Sequence, residues 1–437
     1  MNGSRAVANA AFVFAVVLTA VVFFFRVLLP GTALFSTDNN IGSEAAVKVL
    51  LPFGFSGYWS DDVLLGSGGR IPLNWTMLLL HILPLRIYMN WIHAVDLGLA
   101  SVLLGWFLRH RGCAWTACAA GALTAFWLGS NLTLVYAGHT SKFATLAFAA
   151  ATVLCLDRGA RPGGSPWMIL AGGALGIMFM EQQDLALFFG LFLGAYAIFA
   201  FVREQGFRPF ILAARMLSCA LLALVIAGPT MLSVYGTARS GEPGGAGESA
   251  ASKWEFSTQW SVPPDETIDL IAPGYTGWRS GEPEGPYWGR TGRSAGWEQT
   301  HQGFMNFRLE SIYIGAIPVV FALFAVAAAL RRRSWLTING CSERDAGSGA
   351  HRADIVFWAC VAVISLLLAY GKYLPFYALF YMLPVVNSIR NPNKFLQVFQ
   401  VALAIVAAYG WDIAVKRQGG TAVMSHPQPC SGGREAG

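Results

Sequence analysis

Apolar stretches of roughly 20 residues recur along the chain between short polar turns, and a run of that length is what a helix needs to cross bilayer hydrocarbon. The pattern predicts spans over 7–29, 88–108, 115–136, about 140–156, 167–180, 185–202, 209–235, 312–330, 355–370 and 395–413. Residues 71–87 are apolar but broken by Pro72, Pro84 and Arg86. They predict an interfacial or partly re-entrant segment. The fold class expected is therefore an all-α integral membrane protein of about ten transmembrane helices.

Between the spans the polar residues are unevenly placed. Four regions follow: membrane helices with a first external loop over 1–235, a tryptophan-rich loop over 236–307, further membrane helices over 308–413, and a polar tail over 414–437. The large loop opens with a Gly/Ser/Glu-rich linker, 241–252, and then carries Trp254, Trp260, Trp278, Trp288 and Trp297 beside Tyr275 and Tyr287. Those rings suit either sugar faces or the headgroup level of a membrane. Pro263-Pro264-Asp265-Glu266 ahead of Ile268-Asp269-Leu270-Ile271 predicts a short helix start, with proline and acids in its first turn. The tail from Gln418 is rich in Gly, Ser and Pro, and is expected to be disordered.

Composition supports the membrane reading. Apolar residues make up 55% of the 437 and charged residues 12%, about half the charge of a typical soluble surface. The net charge of +6 is spread thinly between apolar runs, so no nucleic-acid stripe is expected. Basic residues fall in alternate turns: Arg109 and Arg111, Arg158 and Arg161, Arg203 and Arg208, Arg331 to Arg333, then Lys416 and Arg417. By the positive-inside rule these turns are cytoplasmic. Both termini are then cytoplasmic, and the large loop lies outside a plasma (inner) membrane. The seven cysteines fall in spans or on the cytoplasmic side, so no disulfide framework is expected.

Candidate chemistry lies where ionisable residues approach the outer ends of spans, because such groups are costly at membrane depth. Span 143–156 is only 14 residues if complete, which sets Gly138-His139-Thr140-Ser141-Lys142 at or below the surface. Span 167–180 ends in Glu181-Gln182-Gln183-Asp184. Lys142 either pairs with Glu181 or Asp184 to close a hairpin, or serves a ligand. Asp38, soon after the first span, offers a base for an acceptor hydroxyl or a ligand for a divalent cation (Mg or Mn), unless it is simply a solvated loop acid. Asp61 and Asp62 offer the same chemistry. Arg390 and Lys394, just before the last span, suit a lipid phosphate or ordinary interfacial anchoring. His93 and Asp96, three apart, are expected to form a buried pair. No P-loop, zinc pattern, nucleophile elbow or dinucleotide fingerprint is present.

Several strings taken in order resemble the YfhO-type bacterial membrane proteins, a branch of the GT-C glycosyltransferase-like superfamily. They are Ser36-Thr37-Asp38, Gly138-His139-Thr140-Ser141-Lys142, Trp260-Ser261-Val262-Pro263-Pro264-Asp265-Glu266, Pro273-Gly274, Tyr287-Trp288-Gly289, Tyr313-Ile314-Gly315 and Ser388-Ile389-Arg390-Asn391-Pro392-Asn393-Lys394-Phe395. The resemblance covers roughly 7–413. It implies a GT-C-like fold and glycosyl transfer from a polyprenyl-phosphate sugar outside the cytoplasm, with Asp38 at the position of the superfamily's catalytic acid. Such proteins usually continue into further spans and an external C-terminal domain, so the resemblance is to a truncated or degenerate member. Two other classes share the helix pattern: a lipid or small-molecule carrier or flippase, and a non-catalytic assembly partner. A carrier is favoured by an internal inverted repeat, and the hydropathy pattern shows none.

Overall fold

The computed structural model describes residues 2–34, 36, 38–61, 66–240, 250–277, 287–292, 297–300, 311–331, 345–383 and 389–423. Asp62, Trp278, Arg332 and Arg333, Cys341 and Cys430, most of the 241–252 linker and the end of the tail lie outside them.

All ten predicted apolar segments fall on helices. The chain opens with α1 (Asn2–Phe23), then places α2 (Ile41–Leu50), a hairpin of β1 (Tyr58–Ser60) and β2 (Ser67–Gly69), and α3 (Trp75–Ile82) before α4 (Leu85–His110). Next come α5 (Trp115–Phe126), α6 (Gly129–Ala137), α7 (Thr140–Gly159), α8 (Ser165–Glu181), α9 (Gln183–Gln205) and α10 (Pro209–Ser240). The large loop holds α11 (Ala250–Thr258) and the short α12 (Trp297–Thr300). The rest is α13 (Ala316–Leu330), α14 (Asp345–Ala369), α15 (Pro375–Tyr381) and α16 (Phe395–Val423). Among the described residues seven helices are long and apolar enough to cross a membrane: α1, α4, α7, α9, α10, α14 and α16. The pair α5 and α6, bent by 46°, makes an eighth if counted as one span, and α8 and α13 are shorter apolar helices. The chain is thus a multi-pass, all-α membrane protein.

Three boundaries depart from the sequence pattern. The first apolar run, 7–29, ends as a helix at Phe23 and finishes in a tight turn, Phe25–Leu28. The predicted span 115–136 is two helices. Asn131 donates its amide to the carbonyls of Ala125 and Phe126, so a polar side chain satisfies the broken end of α5 and the chain bends there. The third is α7, which is 20 residues and not the 14 expected. The helix begins at Thr140, and Lys142 and Asp157 lie buried inside it. The premise that this span is too short to reach the surface therefore fails.

Glycines let the helices pack closely, as small residues do in membranes. A Cβ at Gly172 of α8 would stand 2.3 Å from the Cys219 carbonyl oxygen of α10, and one at Gly410 of α16 would stand 2.1 Å from that of Phe321 in α13. One end of the bundle gathers the basic turns and the other carries the large loop.

At the basic-turn end a buried ion network ties five helices together. Arg111 of α4 donates to Asp157 of α7 (3.3 Å), Glu204 of α9 (3.2 Å) and Asp354 of α14 (2.8 Å). Arg203 also reaches Asp354, His110 meets Asp157, and the hydroxyls of Tyr196 and Tyr409 complete the two aspartates.

The large loop is folded onto the other end. The backbone amides of Val262, Asn391 and Asn393 donate to the carbonyls of Ala369, Ser257 and Trp260 respectively. The expected helix start at Pro263-Pro264 is a 3-10 helix, Pro264–Leu270. Its acids hold the loop together: Glu266 accepts from Tyr287, Thr291 and the Arg290 amide, and Asp269 from Thr276. Trp260 and Trp297 are buried, so neither offers a face to a sugar or a membrane, whereas Trp288 and Tyr275 are exposed.

Candidate functional site

The loop end builds its polar groups from two close approaches. Gly138 closes α6 with a φ of +79°, and a Cβ there would collide with Ser36 and the Asn39 amide. Glycine is required on both counts. It lets the 36–40 segment lie against the start of α7, where the Asp38 amide donates to the Ala137 carbonyl and the Asn39 side chain donates to the Thr140 hydroxyl (3.0 Å). The Asp38 carboxylate, well exposed, then stands 3.4 Å from His139 Nε2. The second approach is at the head of α16. Asn391 takes the left-handed conformation (φ +69°) and Pro392 starts the helical turn. This reversal turns Arg390 outward over Phe256, 4.7 Å from the ring centroid, and sends Lys394 inward.

Lys142 and Lys394 both line one narrow cleft between α6, α7, α16 and the returning 311–314 segment. Its wall is completed by Ser130, Ser311, Asn393, Gln397 and Gln400. Lys394 is paired to Asp184, while Glu181 accepts from the amide (3.0 Å) and hydroxyl (2.6 Å) of Thr76 in α3. Asp184 is thus engaged by Lys394, and Glu181 by Thr76. Below this cleft lies an apolar one, lined by Leu146, Ala149, Val153, Val398, Val401 and Ile405 among others. On α7 the series Lys142, Leu146, Ala149, Val153 and on α16 the series Lys394, Val398, Val401, Ile405 share one spacing: i, i+4, i+7, i+11. Each helix presents a lysine at the head of an apolar stripe.

The remaining candidates fall elsewhere. Asp61 directly follows β1 and accepts the Trp59 indole N–H (2.7 Å). Asp62 is outside the described residues. His93 and Asp96 do not form the expected pair: the His93 ring meets Phe143 edge-on, and Asp96 accepts from the Trp75 indole (3.2 Å). Spacing of three set them on adjacent sides of α4, and each side is claimed by a different neighbour. Among the described residues no group of three or more His, Cys, Asp or Glu side chains is disposed to hold a metal ion. Asp38 with His139 supplies one carboxylate and one imidazole, too few oxygens to hold Mg or Mn by themselves.

Sequence reasoning passed over Gln397 and Gln400. Two amides a turn apart inside the last apolar run are a signal of the same kind as a buried charge. It also passed over the Arg111, Asp157 and Asp354 network, whose members stood out only as topology markers or not at all.

No protein-family model matches the chain, and no curated protein and no solved structure matches it.

Proposed function

We propose that this chain moves a sugar from a polyprenyl-phosphate donor to an acceptor outside the cytoplasm. It does so from a GT-C-like bundle of about ten spans in the plasma (inner) membrane, with both termini cytoplasmic and the loop end outside. The observation that carries the proposal is the pair of lysine-headed apolar stripes on α7 and α16. Two ammonium groups over an apolar slot match an amphiphile with a phosphate head and a hydrocarbon tail. The family resemblance of the quoted motifs points the same way.

In this reading the acceptor hydroxyl oxygen bonds to the sugar's C1 and its proton passes to the Asp38 carboxylate. The bond from C1 to the phosphate oxygen breaks, and its electron pair stays on the leaving phosphate. The lysines neutralise that added charge in a medium where charge interactions are strong. His139 holds Asp38 in position. The cleft is narrow, so the headgroup enters by drawing Lys394 off Asp184.

The test is transfer of hexose from a short-chain prenyl-phosphate donor by purified protein in nanodiscs. Asp38 is exposed, so Asp38→Asn should fold normally and lose about 10²- to 10⁴-fold in rate. Undiminished transfer by that variant would remove Asp38 from the mechanism, and no transfer by wild type would sink the enzyme reading.

The basic-turn end favours a second reading. A bundle clamped at one end by buried ion pairs, with its polar cleft at the other, has the outline of a carrier caught facing one side. Loosening the clamp with Asp354→Asn should then speed movement of a prenyl phosphate across a liposome. An enzyme would show no such gain.

A further inference from the structure

Three amides stand in one row on α16 and the turn that leads into it, Asn393, Gln397 and Gln400, at i, i+4 and i+7, and all line the lysine cleft. Amides this deep in an apolar span are costly unless each has a partner. Gln400 is accounted for by the fold, since it accepts from Ser130 and donates to the Thr124 carbonyl. Gln397 is not. It is 8% exposed, and its Oε1 is buried without a hydrogen-bond donor. A buried acceptor left open beside two cations is suited to a ligand bearing both a negative charge and a hydroxyl.

We propose that Gln397 is a specificity-determining residue whose side-chain carbonyl accepts a hydrogen bond from a hydroxyl of the ligand's polar head. The cleft then prefers a phosphate ester carrying a polyol or sugar to the bare phosphate. The lysines bind what the two heads share, and Gln397 reads what only one of them has. This rests on the reading of the cleft as a seat for a prenyl phosphate, and it assigns the residue that recognises the group to be transferred.

Three probes separate the two ideas: a short-chain prenyl phosphate, the same lipid carrying one hexose on its phosphate, and hexose 1-phosphate with no lipid. Binding to the purified full-length chain in detergent should be about tenfold tighter for the hexose-bearing lipid than for the bare one, equivalent to about 1.4 kcal/mol. Gln397→Met keeps the length of the side chain and removes the acceptor. It should erase that preference, weakening the hexose-bearing lipid about tenfold more than the bare one. Gln397→Asn draws the amide back by one methylene and should do the same, a safeguard if the Met variant does not fold. Should both variants keep the preference, or weaken both lipids equally, Gln397 is a packing residue and the inference fails. If neither lipid binds even wild type, the prenyl-phosphate seat itself fails. Hexose 1-phosphate binding as tightly as its lipid form would overturn the lipid-linked assignment.

Discussion

Asp184 and Lys394 come from positions 210 residues apart and meet as an ion pair beside the lysine cleft. The pair joins the first turn of α9 to the head of α16. It also means that any anionic ligand competes with a resident carboxylate for the Lys394 ammonium group.

That competition gives an expected gain on removing a charge. Asp184→Asn keeps the side chain's shape and frees Lys394, so a prenyl phosphate should bind several-fold more tightly, by up to about tenfold. Lys394→Met should weaken it by a comparable factor. Titration of the same lipid into wild type and both variants checks this, and a loss of affinity in Asp184→Asn would mean that the carboxylate positions the lysine for the ligand.

The sequence made the helices legible because the apolar runs report directly on what faces lipid, and because Pro and basic residues mark their ends. It could not show what lies inside the bundle. Lys142 looked like the end of a span, since residue type alone cannot distinguish a cation facing water from one buried in a cleft. Arg111 meets Asp354 across 243 residues, and no local pattern relates such positions. Within the candidate site Asp38, His139, Lys142 and Lys394 stood out as charges beside spans, and the structure gathers them at one end. Gln397 is neutral, so a search for ionisable groups passed over it. Arg390 has the same sequence signal as Lys394, and only the left-handed turn at Asn391 sends one outward and the other in.

Asp354 is a buried acid that accepts from Arg111, Arg203 and Tyr409. Asp354→Ala leaves two guanidinium groups partly uncompensated in the interior, a defect that typically costs about 3–5 kcal/mol. Thermal unfolding in detergent should show a large fall. Replacing Arg290 by Gln, whose ion pair with Asp265 is exposed on both sides, should cost much less, because exposed pairs are worth little. Equal, small effects would mean that water reaches the network freely.

Helix contact through glycine can be tested at Gly410. A methyl group there would overlap the Phe321 carbonyl, a rigid backbone neighbour. Gly410→Ala should therefore push α13 away from α16 at a cost of roughly 1–3 kcal/mol, the range for overpacking. Gly194 has open space where a methyl group would stand. It is the control, and Gly194→Ala should be neutral or slightly stabilising through helix propensity. Stability lost equally at both positions would show that the helices are not held at the close distance described.

The last expectation concerns pH and the segment that follows α1. Asn40 caps α2 by accepting the Ser43 amide (3.0 Å), and this sets Glu44 in the first turn facing inward. There it is buried, and its Oε2 has no hydrogen-bond donor. Burial pushes the Glu44 carboxyl above its ordinary value, because desolvation penalises the ionised form. The folded chain then holds this proton more tightly than the unfolded one. The contribution to stability is fully present below the unfolded value, about 4.3, and is lost as pH rises through the raised folded value. Glu44→Gln keeps the side chain's size and abolishes the titration. Melting curves of both proteins from about pH 4.5 to about pH 7.5 should therefore diverge, with the Gln variant increasingly the more stable toward neutral pH. Parallel curves would place the Glu44 carboxylate in water or beside a cation, and α2 would not be packed as described.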